Sequence, residues 1–254
     1  MKNIEIKILN PEVIGDCERM MVFCARLTQR GHRLNAMCDV LDLYDKSYKP
    51  ETIKTMTNLP HPTIQKFGVI NVAVVGASRR FLAQITRHQN EVKFMSASLQ
   101  YSDYSANNSF CVPYEITEKG PVYETAYING CREAMDKYKV YSENCGNDAA
   151  GYLAPQGLRN VLIISATPYQ WKHMIGQRIC RRNTTETKYV MLKIWEQLYK
   201  QSPSLFDMAV TGAGCQRGKC LEGKMCCGKA IAKTMTPADI LKEDFPLFYE
   251  EATI

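Results

Sequence analysis

The sequence predicts an α+β fold, in which mixed helices surround a mainly antiparallel sheet within a single domain. Apolar residues recur at helical spacing in some segments and form short runs of branched residues in others, without a regular alternation of strand and helix. No internal repeat, low-complexity tract or long linker divides the 254 residues. A hydrophobic content of 45% is enough for a sizeable core.

The strands are predicted from two kinds of apolar pattern. Residues 3–9 alternate isoleucine with polar residues, which is typical of a strand with one wet face. Residues 67–75 and 160–166 are compact apolar runs, and Gly76 is expected to end the first of them. Two further strands are expected in residues 93–105 and 110–114, on either side of a polar turn.

The helices are predicted from apolar periodicity and from capping residues at their starts. Asn10-Pro11 has the features of a helix start, and Gly31 is expected to end that helix. Thr167-Pro168-Tyr169-Gln170 matches a capping box with proline at the first helical position. The predicted helices span residues 11–30, 34–43, 50–57, 77–88, 121–142, 148–153, 168–180, 185–199 and 203–208, and the remainder is expected to be loop-rich.

Charge and targeting features narrow the functional classes. The formal net charge of +6 suits an anionic ligand but does not by itself indicate nucleic-acid binding. The N-terminus lacks the hydrophobic run of a secretory signal, and no stretch approaches the ~20 apolar residues that span a bilayer. We therefore expect a soluble, cytoplasmic protein that binds neither nucleic acid nor membranes.

Two arginine-bearing helices are candidates for ligand binding. The first ends in Gln84-x-x-Arg87-His88-Gln89, and the second contains His173 and Arg178. A guanidinium matches a phosphate or the polar edge of a pyrimidine ring, and a glutamine can both donate and accept there. From spacing alone, the same pattern also fits a solvated helix surface. The sequence has no glycine-rich nucleotide loop, Walker loop or zinc-protease motif.

The eleven cysteines fall into two groups. Seven are scattered and are expected to be reduced thiols, most of them buried. Cys215, Cys220, Cys226 and Cys227 lie close together in a glycine-containing tail, residues 213–254, which we separate from a main domain of residues 1–212. Their spacing leaves a structural zinc site, reduced loop thiols and a redox-sensitive pair as alternatives. With four histidines in the chain, a histidine-rich metal site is not expected.

Taken in order along the chain, several segments resemble the flavin-dependent thymidylate synthase (ThyX) family. The match is spread over most of the chain. The matching segments are Ala25-Arg26-Leu27-Thr28, His61-Pro62-Thr63, Gln84-x-x-Arg87-His88-Gln89, Ser98-Leu99-Gln100-Tyr101-Ser102, Ala154-Pro155, Gln170 to Arg178, and the cysteine-rich tail. Where the family pattern has arginine, this chain has Gln89, Gln100 and Gly151, and where it has Glu-His the chain has Lys66-Phe67.

The resemblance implies a reductive methylation of dUMP to dTMP that uses FAD, with NADPH and methylenetetrahydrofolate as co-substrates, in a homotetramer. It implies catalytic roles for Arg178 and Ser98, with Arg178 beside the uracil carbonyl. The implied substrate-binding residues are Gln84, Arg87, Ser98, Gln100, Tyr101 and Arg178. The implied cofactor-binding residues are Thr28, Thr63, Arg87, His88, Gln89 and His173.

The missing arginines leave phosphate recognition open. Five other arginines are candidates to replace them: Arg79, Arg80, Arg159, Arg181 and Arg182. Two alternative functions also remain at this point. One is a divergent relative that modifies another pyrimidine nucleotide or adds a hydroxymethyl group. The other is a non-enzymatic, basic, zinc-stapled protein that binds nucleic acid.

Overall fold

A four-stranded antiparallel sheet forms the centre of the molecule in a computed structural model that describes residues 1–249. The strands are β1 (Glu5–Ile8), β2 (Ile70–Ser78), β3 (Val92–Ser96) and β4 (Arg159–Ala166), in the order β1-β2-β4-β3. Ile8 pairs with Val72, and Ala166 pairs with Ile70 on one side and Val92 on the other. The predicted α+β class with a mainly antiparallel sheet is confirmed.

Strand β2 does not end at Gly76, as the sequence predicted. It continues to Ser78 through an irregularity in its register with β4, between Val75 and Ala77. Gly76 has φ +86°, and a β-carbon there would overlap the guanidinium of Arg159. A glycine thus allows a bulge rather than a strand end. The predicted strand at 93–105 is shorter than expected, and the strand at 110–114 is reduced to an isolated bridge between Phe110 and Leu158.

The helices follow most of the predicted segments. They are α1 (Val13–Arg30), α2 (Met37–Asp45), α3 (Pro50–Thr57), α4 (Arg79–Ile85), α5 (Tyr114–Thr117), α6 (Pro121–Cys145), α7 (Asn147–Gly151), α8 (Pro168–Arg178), α9 (Thr185–Gln201), α10 (Met208–Thr211) and α11 (Pro237–Asp244). Short 3₁₀ turns occur at Gly31–Arg33, Pro62–Gln65, Gly223–Met225 and Pro246–Phe248.

Two predictions near the C-terminus are wrong. Ser202-Pro203 does not open a helix: Ser202 Oγ instead accepts from Leu205 N at 3.0 Å in a turn, and α10 begins later, after Asp207. The segment expected to be loop-rich contains α11, whose start is fixed by a capping box between Thr236 and Asp239. Proline and serine favour turns as well as helix starts, so the first pattern was ambiguous.

The main core lies on one face of the sheet. Val72 and Val74 of β2 and Ile164 of β4 are fully buried on that face, together with two tryptophans of the covering helices. Trp171 Nε1 donates to Ile70 O at 3.0 Å, so α8 is tied directly to the start of β2. The opposite face carries three exposed apolar side chains. Val75 and Val161 form a cross-strand pair there, and Met95 lies on the neighbouring strand β3.

The C-terminal segment packs onto the same core. Ile231, Ile240, Leu241 and Phe245 are fully or almost fully buried in the cluster that contains the sheet residues. Arg181, three residues after α8, also forms ion pairs with Glu243 and Asp244, at 2.6 and 3.0 Å. Within residues 1–249, no helix is long and apolar enough to cross a membrane.

Candidate functional site

Arg178 joins the two arginine-bearing helices that the sequence singled out. It is the last residue of α8, and it reaches the turn after α4. Its Nε donates to His88 Nε2 at 2.7 Å, and its Nη2 donates to Gln84 O at 2.9 Å. Nη1 makes a longer contact with Asn183 Oδ1 at 3.5 Å. Residues about 90 positions apart in sequence are thus fixed against each other.

Both helices are aligned by caps at their first turns. Ser78 Oγ accepts from Phe81 N at 3.1 Å at the start of α4 and donates to Glu186 on α9. Thr167 Oγ1 accepts from Gln170 N at 3.3 Å at the start of α8. Each helix follows a strand of the central pair β2 and β4 directly, so the sheet sets the distance between them.

His88 is held in its neutral form by its surroundings. Burial, the Arg178 guanidinium and His173 lower the pKa of His88 from 6.5 to about 4. At neutral pH its Nε2 therefore accepts the Arg178 hydrogen bond. The rings of His88 and His173 meet edge to face, with centroids 6.1 Å apart. Partial desolvation and the nearby Arg217 also lower the pKa of His173.

A cavity of about 750 Å³ opens beside this cluster. It brings together Arg87, His88, Gln89 and His173, four residues predicted to contact a cofactor. Its further lining residues are Lys66, Asn90, Glu91, Tyr169, Gln170 and Gln177. Lys66 Nζ pairs with Glu91 Oε1 at 2.8 Å, so the cavity's carboxylate is already neutralised. The remaining lining is rich in donors, which suits an anionic ligand with a polar ring edge.

Sequence reasoning missed the residues on the other side of His173. A second cavity, of about 510 Å³, shares Tyr169, His173 and Gln177 with the first and adds Lys172 and Arg217. Lys172 is 6% exposed, and its Nζ donates to Gln65 Oε1. Burial lowers the pKa of Lys172 to about 7. The sequence does contain a sign of this site, because Lys172 stands between a tryptophan and a histidine on a helix face that is otherwise buried.

A third cavity, of about 480 Å³, contains the position where the family arginine is replaced by Gly151. Arg79 lies in the same cavity, with Ser96 and Gln156 among its polar neighbours. Arg79 Nη1 makes a long contact with Ala97 O at 3.4 Å. A β-carbon on Gly151 would meet Leu99 at an ordinary contact distance of 3.5 Å, so this position has room for a β-carbon.

The structure distinguishes among the other candidate arginines. Arg159 is bound to the carbonyls of Gly76 and Asn3, and Arg181 is paired with the carboxylates of α11. Arg182 Nη1 donates to Met225 O at 2.7 Å, whereas Arg80 is exposed on α4. Arg79 thus combines a position at the relevant cavity with a weak protein contact.

Apart from Arg178, which lines a different cavity, six predicted site residues do not line these three cavities within the described chain: Thr28, Thr63, Gln84, Ser98, Gln100 and Tyr101. Ser98 Oγ accepts from Gln100 N at 3.1 Å and Tyr101 N at 3.3 Å, which forms an exposed turn. Tyr101 is 84% exposed. Thr28 and Thr63 are also exposed, and Thr28 Oγ1 donates to Ala25 O. The side chain of Gln84 is half-buried on α4, beside its own Arg178-bound carbonyl.

The four tail cysteines lie around one further cavity, of about 320 Å³. Cys180, just after α8, lines it too, and so does Arg178. In residues 1–249, no three His, Cys, Asp or Glu side chains form a group that could hold a metal ion as they stand. Cys215, Cys220, Cys226 and Cys227 are therefore not already arranged as a zinc site.

Comparison with known proteins finds relatives of this chain. The family model described as thymidylate synthase complementing protein matches residues 12–204. Flavin-dependent thymidylate synthase of Geobacter sulfurreducens is 23% identical over 219 residues, which cover 85% of this chain and 90% of the relative. The protein of the same name from Thermococcus onnurineus is 24% identical over 172 residues, which cover 65% and 69%.

Solved structures show the same fold. PolB from Streptomyces cacaoi, described as a UMP/dUMP methylase bound with 5-Br dUMP, superimposes with a TM-score of 0.67. It is 14% identical, and the alignment covers 83% of this chain and 96% of PolB. ThyX from Helicobacter pylori, solved with FAD and dUMP, has a TM-score of 0.60 and 14% identity, with coverage of 82% and 99%.

The fold and the arginine–histidine cluster define the class: an α+β protein of the ThyX type. The family-model match spans more than half of the chain. The chain therefore belongs to the flavin-dependent thymidylate synthase family, as the sequence resemblance indicated. Family membership does not support the alternative of a non-enzymatic protein that binds nucleic acid.

Proposed function

We propose that this protein catalyses the flavin-dependent reductive methylation of dUMP to dTMP, with methylenetetrahydrofolate as the one-carbon donor and NADPH as the reductant. The observation that carries the proposal is the Arg178–His88–Gln84 cluster beside a donor-rich cavity. Named relatives catalyse this type of reaction, and a ThyX protein of the same fold has been solved with FAD and dUMP.

Arg178 is suited to act as a fixed cation beside the uracil ring. A guanidinium has five N–H donors. Its contacts with His88, Gln84 and Asn183 use three of them, so two remain for a ligand. Because these contacts fix the orientation of the group before substrate binds, it can stabilise negative charge on the uracil carbonyl as C5 becomes nucleophilic without reorganising.

The cavity of about 750 Å³ fits a flavin by its chemistry. Arg87 and His88 would contact the cofactor's phosphates or ring edge, and Gln89 and Gln177 can donate to or accept from ring atoms. When bound, FAD supplies the reducing equivalents. His173 separates this cavity from the second one, so its ring would lie between the flavin and the folate or NADPH.

Arg79 is the arginine that we assign to the nucleotide phosphate. It lies in the same cavity as Gly151, and its contact with the protein is long. Arg79 thus takes over, from a neighbouring element, the charge that the family places at position 151.

The exposed turn with Ser98, Gln100 and Tyr101 would complete the site in a homotetramer. Ser98 Oγ accepts two backbone N–H bonds, so its O–H remains able to donate to a substrate bound by another subunit. The apolar outer face of the sheet, with Val75, Met95 and Val161, is a suitable surface for subunit contact. Thr28 and Thr63, both exposed, would reach the cofactor in the same assembly.

A substrate panel tests this function and its main alternative. Tritium release from C5-labelled dUMP, UMP and dCMP is measured with FAD, NADPH and methylenetetrahydrofolate, and the product is identified by mass. We expect release from dUMP with dTMP as product. A hydroxymethylated product, or preference for another nucleotide, would instead support the divergent-relative alternative, which the changes at Gln89, Gln100 and Gly151 keep open.

The phosphate assignment has its own matched test. Arg79→Ala should raise the Kd for dUMP by about tenfold to a hundredfold, the range for losing a charged hydrogen bond of about 1.5–3 kcal/mol. Arg80→Ala, one residue away and exposed, is the control and should change the Kd less than about threefold. Gly151→Arg should restore binding to the Arg79→Ala variant, because a β-carbon fits there. Equal effects at positions 79 and 80 would contradict the assignment.

A further inference from the structure

Five thiols from two separate segments surround the cavity of about 320 Å³. Cys180 lies just after α8, and the other four come from the tail: Cys215, Cys220, Cys226 and Cys227. All five are free thiols. Their convergence depends on the fold, because Cys180 lies 35 positions before Cys215 and belongs to a segment that the tail pattern does not include.

Backbone N–H groups already point at the sulfurs. Ile231 N donates to Cys215 Sγ at 3.5 Å, and Lys229 N donates to Cys227 Sγ at 3.4 Å. Gly228 N similarly donates to Cys226 Sγ at 3.4 Å. Outer hydrogen bonds of this kind orient metal ligands and stabilise the charge on a thiolate. The tail backbone is therefore folded around its sulfur atoms.

We propose that Cys180, Cys215, Cys220 and Cys227 bind one Zn²⁺ ion in a closed four-thiolate site that clamps the tail to the end of α8. These four thiols are half-buried, whereas Cys226, which lines the same cavity, is exposed. This ligand set differs from the four tail cysteines that the sequence suggested as a zinc site, because Cys180 replaces Cys226. Zinc prefers tetrahedral sulfur coordination at about 2.3 Å.

The charges around the cavity suit such a centre. Four thiolates and one Zn²⁺ carry a net charge of −2, and the protons of the thiols pass to solvent on binding. Arg178, Arg181 and Lys229 line the same cavity, against a single carboxylate, that of Glu222, among its lining residues. These cations reduce the cost of assembling the negative centre.

Binding requires the tail thiols to draw closer together, since no such group in residues 1–249 is ready to hold an ion. The connecting loop can make this adjustment. Gly218, Gly223 and Gly228 have φ of +103°, +52° and +72°, and each has open space where a β-carbon would be. The loop around Gly223 is exposed, so it can close over an ion without disturbing the core.

The clamp would act on the candidate active site through α8. The start of the tail runs close to this helix: a β-carbon on Gly176 would lie 3.1 Å from Gly212 O. Fixing Cys180 and Cys215 to one ion therefore holds the segment with Arg217 against the helix that carries His173 and Arg178. The proposal concerns the metal content of the protein and does not depend on the methylation reaction.

Metal content of the full-length protein tests the proposal. The protein is purified without chelators, supplied with Zn²⁺, desalted and measured by elemental analysis. The expected result is one zinc per chain in the wild type and in Cys226→Ser, the matched control beside a proposed ligand. Cys180→Ser and Cys227→Ser should each retain less than about one tenth of that, by the affinity lost with a thiolate ligand.

A second probe guards against misfolded variants. Co²⁺ added to the wild type should give the strong visible absorption of a tetrahedral thiolate site, and circular dichroism should show that the variants keep their helices. Wild-type protein that retains no zinc and gives no such spectrum would overturn the proposal. So would full zinc in Cys180→Ser, equal loss in Cys226→Ser, or a disulfide among these cysteines in the freshly purified protein.

Discussion

Replacing Arg178 by alanine perturbs the centre of the proposed site. The substitution removes a fixed cation with two unused N–H donors, together with its bonds to His88 and Gln84. Loss of one preorganised group that stabilises charge in the transition state costs about 3–4 kcal/mol, or roughly 10²–10³ in kcat. We therefore expect dTMP formation to fall by this factor, measured as kcat at saturating dUMP.

The same substitution should also lower the free energy of unfolding. His88 Nε2 would lose its donor in a largely buried position, which costs about 1–3 kcal/mol in the free energy of unfolding. Arg178→Lys keeps the charge but cannot reach both partners with a planar fork, so it should recover little activity. Arg132→Ala, an exposed arginine on α6, is the control. A kcat of Arg178→Ala within threefold of the wild type would contradict the role assigned to Arg178.

Three further predictions concern stability. The pKa of His88 falls from 6.5 to about 4 on folding. The free energy of unfolding is therefore highest above pH 6.5 and declines by up to about 3 kcal/mol toward pH 4. Urea unfolding should show this decline, and His88→Gln should make it smaller. The pKa of Lys172 falls from 10.5 to about 7, so its burial cost is greatest below pH 7 and is relieved as pH rises to 10.5. Lys172→Met should therefore gain most stability, relative to the wild type, in the acidic part of that range, and a gain independent of pH would contradict this. Gly76→Ala should lower the free energy of unfolding by more than 1 kcal/mol in thermal or urea unfolding, because position 76 has a positive φ and its new β-carbon would overlap Arg159. Gly130→Ala is the control, since Gly130 lies within α6 and has open space around it.

Helices and strands with strong apolar periodicity could be predicted from the sequence. The long helices α1, α6 and α9 and the strands β2 and β4 have strong apolar periodicity, and their positions agree with the prediction to within a few residues. At Gly76 the same local reasoning failed, because a glycine can end a strand or permit a bulge. Pairing with β4 decides between these outcomes, and the pairing partner lies more than 80 positions away.

The start of α11 has a sequence pattern that predicts a helix. Thr236-Pro237-Ala238-Asp239 has the same cap-and-proline pattern as Thr167-Pro168-Tyr169-Gln170, which was correctly interpreted as a helix start. Cysteines and glycines before it favoured a loop-rich interpretation of the whole segment. Burial of Ile240 and Leu241 against the main core follows from the helix and could not be assigned without it.

Some residues of the candidate site could be predicted from the sequence, but their contacts could not. His88, His173 and Arg178 were named from sequence, and the structure brings them together. The neutral state of His88 depends on burial and on a guanidinium from another helix, neither of which is visible in a local pattern. The same holds for Lys172, because its low pKa comes from burial in the folded protein and not from its neighbours in sequence.

Single-turnover conversion of labelled dUMP by protein loaded with FAD tests the central claim most directly. The protein is reduced with NADPH, mixed with dUMP and methylenetetrahydrofolate, quenched, and analysed for nucleotide products. We expect dTMP in proportion to bound flavin, and formation about 10²–10³ slower in Arg178→Ala. The contradictory result is protein that binds FAD and dUMP yet forms no methylated nucleotide, or that forms it equally fast without Arg178.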